Sequence, residues 1–319
     1  MTSHHSSTQS PESSSASESA LQTSVLWPSS GSQGGVWRMV LAMGLSGTIG
    51  LLVVESGLPT LWVVWLRCIL GGLGLLAWVW GTRLWLRPTR GESVWLLLGG
   101  AALILNWLCL FKAYHYSGIA VATVVYHVQP FLLLLLAAVL QGEPVPTRRL
   151  PWLFMALLGV VLSSGWLGAG DARHMQWQGM ALALLAASLY ALATLATQRL
   201  RRLAPAQIAM LQMAVGVIIL LPGAWIQHGD AHLTLRAWGA VLVLGVVHTA
   251  WMYVLMYTAF QRLPAQAIAG LSFIYPVMAL LVDVGWFGTQ PSPVQWCGMA
   301  VILGAVWMYR RSDHSIRKA

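Results

Sequence analysis

Ten stretches of this chain are each about 20 residues long and almost wholly apolar, and no other feature limits its fold as much. They cover residues 37–54, 59–81, 93–113, 118–140 and 150–168, then 177–197, 205–227, 236–260, 264–287 and 293–309. At 1.5 Å rise per residue, roughly 20 apolar residues are what a helix needs to cross the hydrocarbon core of a bilayer. Composition agrees: only 8% of the 319 residues are charged, 57% are hydrophobic and 18 are tryptophan. A soluble domain carries about 25% charged residues to cover its surface. Despite the net charge of +9, a soluble enzyme, a nucleic-acid binder and a disordered protein are all excluded. The ten stretches leave only short connections, with no room for a soluble head. The expected fold is an all-α membrane bundle of ten transmembrane helices, with lipid as its surrounding partner.

Residues 1–36 are different material. Thirteen are serine and the only charged side chains are Glu12 and Glu18, so the segment cannot bury enough apolar surface to offset its ordering entropy and reads as a disordered tail. It lacks the basic start, apolar run and small-residue cleavage site of a signal peptide. Residues 311–319 form a short basic tail. Cys68, Cys109 and Cys297 all fall inside apolar stretches without a CxxC pair, so no disulfide framework, metal site or cofactor is assigned; His4 and His5 in the tail are not enough for one.

Basic residues are unevenly distributed between alternate connections. With the N-terminus inside the cell, fourteen are cytoplasmic: Arg38, Arg83, Arg87, Arg90, Arg148, Arg149, Arg199, Arg201, Arg202, Arg262, Arg310, Arg311, Arg317 and Lys318. Three (Lys112, Arg173 and Arg236) fall outside, and Arg67 lies within a span. The positive-inside bias therefore sets both termini in the cytoplasm.

The chain also repeats. Shifted by 146 residues, AYHYSGIAVATVVYHVQP at 113–130 lies over AFQRLPAQAIAGLSFIYP at 259–276 without a gap. Both copies show a helix end, a short polar break, a small-residue stretch and a proline in mid-helix, and a loop opens in each around Gly142 or Gly288. Residues 37–170 and 177–310 thus make two five-helix repeats, and an odd number of spans turns the second upside down relative to the first. Inverted repeats are a transporter architecture, because two equivalent halves exchanging conformations expose a central site to alternate sides.

On these residues the chain resembles the EamA-type exporters of the drug/metabolite transporter superfamily, over about 37–310. The resemblance is carried by the two repeats, by Gln129 and Pro130 with Tyr275 and Pro276, by the Gly142 and Glu143 loop, and by Leu66 and Arg67 in the second span. The second repeat departs from the pattern with Gly288 and Thr289, and with Met213 where Arg67 maps. The resemblance implies a ten-helix transporter of the inner membrane, in many cases an exporter of amino acids or other small metabolites.

Polar groups at membrane depth point into a bundle or an aqueous cavity. Tyr126, His127 and Gln129 precede Pro130, and Ser272 and Tyr275 precede Pro276. The prolines read as packing kinks or as bends lining a cavity; the polar side chains read as helix-to-helix hydrogen bonds or as a substrate lining. His127 is also a candidate proton carrier. Asn106 and Trp107 in the third span, and His248, Trp251 and Tyr257 in the eighth, occupy equivalent helices and complete the candidate cavity. Arg67 stands about 12 Å from its helix start, with Glu55 and Asp283 as possible partners. That set reads as a structural ion pair, a substrate anchor or a proton-coupled pair. Gly44, Gly47 and Gly50 in the first span suggest a close-packed face.

The chain has no HExxH, GxSxG or Walker GxxxxGK[ST] motif, which argues against a membrane enzyme and against ATP-driven pumping by this chain alone. No charged ring or filter repeat suggests a channel. The expectation is a secondary transporter for a small-molecule substrate, with a non-transporting receptor or scaffold as the alternative. Substrate identity, direction, proton coupling and oligomeric state are left open by the sequence.

Overall fold

The computed structural model describes residues 33–164, 177–226, 234–288 and 290–311. The N-terminal tail through residue 32, Arg173, Asp171, Asp230, Thr289 and the last eight residues lie outside that set. The helices are α1 (Gln33–Gly47), α2 (Ile49–Ser56), α3 (Thr60–Gly81), α4 (Arg90–Tyr126), α5 (Gln129–Gln141) and α6 (Leu150–Ser163). The second half holds α7 (Trp177–Arg199), α8 (Pro205–Ile226), α9 (Leu235–Gly245), α10 (Met252–Arg262), α11 (Ala265–Leu271), α12 (Ile274–Phe287) and α13 (Pro293–Arg311). A π-helical turn, Val246–Trp251, joins α9 to α10. Among the described residues there is no strand.

Among the described residues, eight helical stretches are long and apolar enough to cross a membrane: Gln33–Ser56, Thr60–Gly81, Arg90–Ser117, Val121–Gln141, Trp177–Arg199, Pro205–Ile226, Leu235–Arg262 and Ala265–Phe287. The expected fifth and tenth spans are helical as α6 and α13 but stand outside that group. Large apolar side chains such as Val139, Ile218, Trp80 and Trp225 face outward, as they do where lipid is the solvent.

Local chemistry sets the helix ends. Thr89 and Glu92 form a reciprocal capping box at the start of α4, which satisfies two of its free N–H groups. Glu92 also accepts from Arg202 Nε at 2.9 Å. Gly142 and Gly288 close α5 and α12 with φ of +69° and +65°, left-handed values that a side chain disfavours. They stand at the loop openings where the repeat aligns. Next to Gly142, Glu143 lies against the backbone N–H of Ala265, the first residue of α11. Burial holds its carboxyl above the usual range, opposed by that N–H and by Arg201.

One expected break takes another form. After Ala113 helical bonding continues to Tyr126, so the third and fourth spans meet at 118–120 with no coil between them. In the second copy Leu263 is extended, with ψ of 143°, because Pro264 disfavours helical backbone in the residue before it. The first copy has Gly118 at that position and no such constraint.

Helix packing keeps the repeat. α3 packs on α8 and α6 on α13, so the second span meets the seventh and the fifth meets the tenth. α1 packs on α10 while α4 packs on α7, and α1 on α12 while α7 packs on α5. Exchanging the halves carries each of these contacts onto itself or onto another of the set. Small residues allow the close approaches: Ala183, Ala186, Ala187 and Ala191 make a buried stripe on α7. In the first span (α1 and α2), only Gly47 of the expected glycine face is closely packed, against Met278 and Ala279 of α12; Gly44 and Gly50 face open space.

Candidate functional site

The fourth and ninth spans are interrupted at matching places. α4 ends at Tyr126 and α5 begins at Gln129; α11 ends at Leu271 and α12 begins at Ile274. Pro130 and Pro276 follow each break and have no N–H to return to the carbonyls of Tyr126 and Ser272. Tightened bonds take up part of the change, Phe131 N–H donating to the Val128 carbonyl at 3.0 Å and Tyr275 N–H to that of Ser272 at 3.3 Å.

The two breaks face each other. The His127 ring lies 6.2 Å from Phe273 and is stacked on Tyr275 at 5.8 Å. His127 and Phe273 are 146 residues apart, the offset of the repeat, so they are equivalent positions in contact. Trp107 and Tyr253 are also 146 apart and meet edge to face at 6.1 Å. Equivalent residues touch only where they flank the axis relating two halves, so these aromatic pairs mark two points along it.

Around the first pair, Asn106 Nδ2 donates to the Ala186 carbonyl at 2.7 Å and to the Tyr126 hydroxyl at 3.3 Å. Tyr126 meets Tyr190 edge to face at 6.2 Å, and Tyr190 donates to Met256 Sδ. His127 Nδ1 is 2.7 Å from the Thr123 carbonyl. Around the second pair, Tyr253 contacts Tyr257 at 5.3 Å, Tyr257 donates to Gln212 Oε1, and the Arg67 guanidinium lies 4.7 Å above the Trp107 ring. Asn106 and Trp107, neighbours on α4, join the two groups. Asn106 Oδ1, Gln129 Nε2, Gln212 Nε2 and Arg67 Nη2 are buried without a hydrogen-bond partner. Such orphans are uncommon in folded proteins and call for a cause.

Asn106, Trp107, Tyr126, His127, Gln129, Tyr257 and Tyr275 therefore gather near the axis, with buried Pro130 and Pro276 beside them. Other expected members do not join. Trp251 is 45% exposed on the outer surface. The π turn carries one extra residue, which puts Tyr253 and Tyr257 inside in its place. His248 faces the junction of α1 and α2, its Nε2 2.7 Å from Thr48 Oγ1. Ser272 turns back to the Ala269 carbonyl. Glu55 pairs with Arg236 and accepts from Trp286 Nε1 at 3.3 Å, so the expected Glu55–Arg67 pair is replaced by one at the helix end. The Asp283 side chain lies outside the described set.

Tyr190, Gln212, Thr249, Tyr253 and Phe273 were not anticipated from the sequence. Tyr253 and Phe273 carry a usable signal, since the repeat offset applied to Trp107 and His127 lands on them. Tyr190, set among the alanines and leucines of α7, carries none.

A helical membrane bundle of two like halves, with broken helices meeting on the axis between them, has the build of a solute carrier. Two matches of one family model, described as "EamA-like transporter family", cover residues 35–165 and 177–311, and the chain belongs to that family of transporters. It is similar to a Bacillus subtilis (strain 168) protein named "Uncharacterized transporter YxxF", 30% identical over 85% of this chain and 88% of that one. It is also similar to the "Pseudopaline exporter CntI" of Pseudomonas aeruginosa, 28% identical over 79% of this chain and 86% of the relative. One solved structure, titled "Crystal structure of protein", shares the fold with a TM-score of 0.75 at 22% identity, covering 85% of this chain and 96% of its own.

Proposed function

We propose that this protein is a secondary transporter of the inner membrane that exports amino acids or related small metabolites by alternating access. Its spans are read as ten, in two inverted five-helix repeats, with both termini in the cytoplasm. The observation that carries the reading is the meeting of the two helix breaks on the axis between the halves. Exchanging the conformations of the halves would open a site there first to one side and then to the other. Asn106, Tyr126, His127, Gln129 and Tyr275 supply hydroxyl, amide and ring groups for a small polar ligand, and Trp107 and Tyr257 supply aromatic walls. Export is favoured by the likeness to a relative named as an exporter. Without a nucleotide loop in the chain, a solute or proton gradient supplies the drive, and His127 is the candidate group for coupling to protons.

Counterflow in proteoliposomes tests this. Purified protein preloaded with unlabelled amino acids should accumulate the matching labelled compound saturably, and an imposed pH gradient should change the rate if protons are coupled. Absence of exchange across a broad panel, with protein shown to be folded, would remove the transport reading in favour of a receptor or scaffold.

A further inference from the structure

Arg67 is 1% exposed. A guanidinium stays charged and offers five N–H donors. Here Nε donates to Thr249 Oγ1 at 3.2 Å, and the ring of Trp107 lies under the charge at 4.7 Å. Nη2 has no acceptor. Thr249 passes its own hydroxyl hydrogen to the Leu244 carbonyl at 2.8 Å, so it is an uncharged acceptor, and neither neighbour neutralises the guanidinium.

A structural ion pair would require a carboxylate on a helix packed against α3. Among the described residues, the helices packed most closely on α3 are α2, α4, α8 and α9 with its π turn. Their acidic residues are Glu55, bound to Arg236, and Glu92, bound to Arg202. Asp283 is on α12, whose main neighbours are α1, α2, α6 and α13. The second repeat provides an internal control. Met213 occupies the position equivalent to Arg67 and is fully buried, so an apolar side chain fills this level of the bundle when no charge is present. The cation is thus confined to one half, against the Trp107–Tyr253 pair on the axis.

We infer that Arg67 binds the carboxylate of the transported molecule, which makes the substrate class small carboxylate-bearing metabolites, their apolar part against Trp107 and Tyr253. The inference rests on the transport reading and deepens it. The missing acceptor for Nη2 is then a carboxylate oxygen of the substrate, and the ligand lies off the axis, towards the first half.

The test uses the full-length protein and the variants Arg67→Met, which copies Met213, and Arg67→Gln. Each is checked for folding by gel filtration and thermal denaturation in detergent. Stabilisation is titrated with L-leucine, L-phenylalanine and L-glutamine, each beside its primary amide, and counterflow of the same compounds is measured in proteoliposomes. The unaltered protein should bind at least one acid about tenfold or more tightly than its amide, a difference readable in Kd. Folded Arg67→Met and Arg67→Gln should lose that preference. Acid preference retained in either folded variant, no acid preference in the unaltered protein, or failure of both variants to fold overturns the inference. Acid-selective binding that depends on Arg67, without counterflow, would keep the carboxylate site and remove transport. Counterflow without acid preference would do the reverse.

Discussion

A single methyl group tests how the two halves meet at the fifth and tenth spans. A Cβ on Gly298 would stand 2.5 Å from the Ser163 backbone nitrogen and 2.7 Å from the Gly159 carbonyl oxygen, whereas one on Gly304 in the same helix meets nothing within 4 Å. Backbone cannot yield as a flexible side chain can, so Gly298→Ala should destabilise by about 1–3 kcal/mol, the usual cost of overpacking. Gly304→Ala should be neutral, and thermal denaturation in detergent compares them. Equal stabilities would mean that α6 and α13 do not approach as closely as described. At this scale the sequence was informative where a residue type is out of place in lipid: Asn106, His127 and Gln129 are polar in apolar runs, and all three are buried near the axis. It was uninformative for Tyr190, because an aromatic in an apolar helix serves packing, lipid contact and ligand contact alike.

The broken helices carry the prediction at the scale of elements. Pro130→Ala and Pro276→Ala each restore an N–H for the carbonyl four residues back, which favours a continuous helix through the break. Both proteins should remain folded, and if the breaks serve transport the double variant should run counterflow slower by about tenfold, about 1.4 kcal/mol on the barrier. Unchanged flux in the double variant would assign the prolines to static packing. The prolines made the breaks legible, since a missing donor is a property of the residue itself. The π turn at Val246–Trp251 was not legible. It changes which side chains turn inward, whereas the sequence offered Trp251 for the cavity only as an aromatic on an equivalent helix and overlooked Tyr253.

The charge distribution gives the prediction for the whole molecule. In the orientation proposed from fourteen basic residues against three across alternate connections, Arg201 would lie in the cytoplasm and Leu235 outside. Both positions are exposed, and Leu235 at 91% is open to reagent. With Cys68, Cys109 and Cys297 replaced by alanine, Leu235→Cys should react with an impermeant maleimide in intact cells. Arg201→Cys should react only after the membrane is opened. The reverse pattern would invert the orientation, and with it the direction assigned to export. One family model matches twice, over 35–165 and 177–311, and the features that made a repeat readable along the sequence are local: a proline, a small-residue run, a glycine at a helix end.

By itself the sequence determined that this is a helical membrane protein of two like halves. Spanning lipid demands long apolar runs, helix ends with positive φ favour glycine, and mid-helix proline removes a backbone donor, each a property read along one stretch of chain. Only the tertiary structure decided which side chains meet. Glu55 pairs with Arg236 across 181 residues, and Arg67 lies on Trp107 with no carboxylate beside it among the described side chains. These outcomes depend on how each helix is rotated and where it crosses its neighbours. That geometry is set by packing of Gly, Ala and aromatic surfaces from both halves at once, and no single segment contains it.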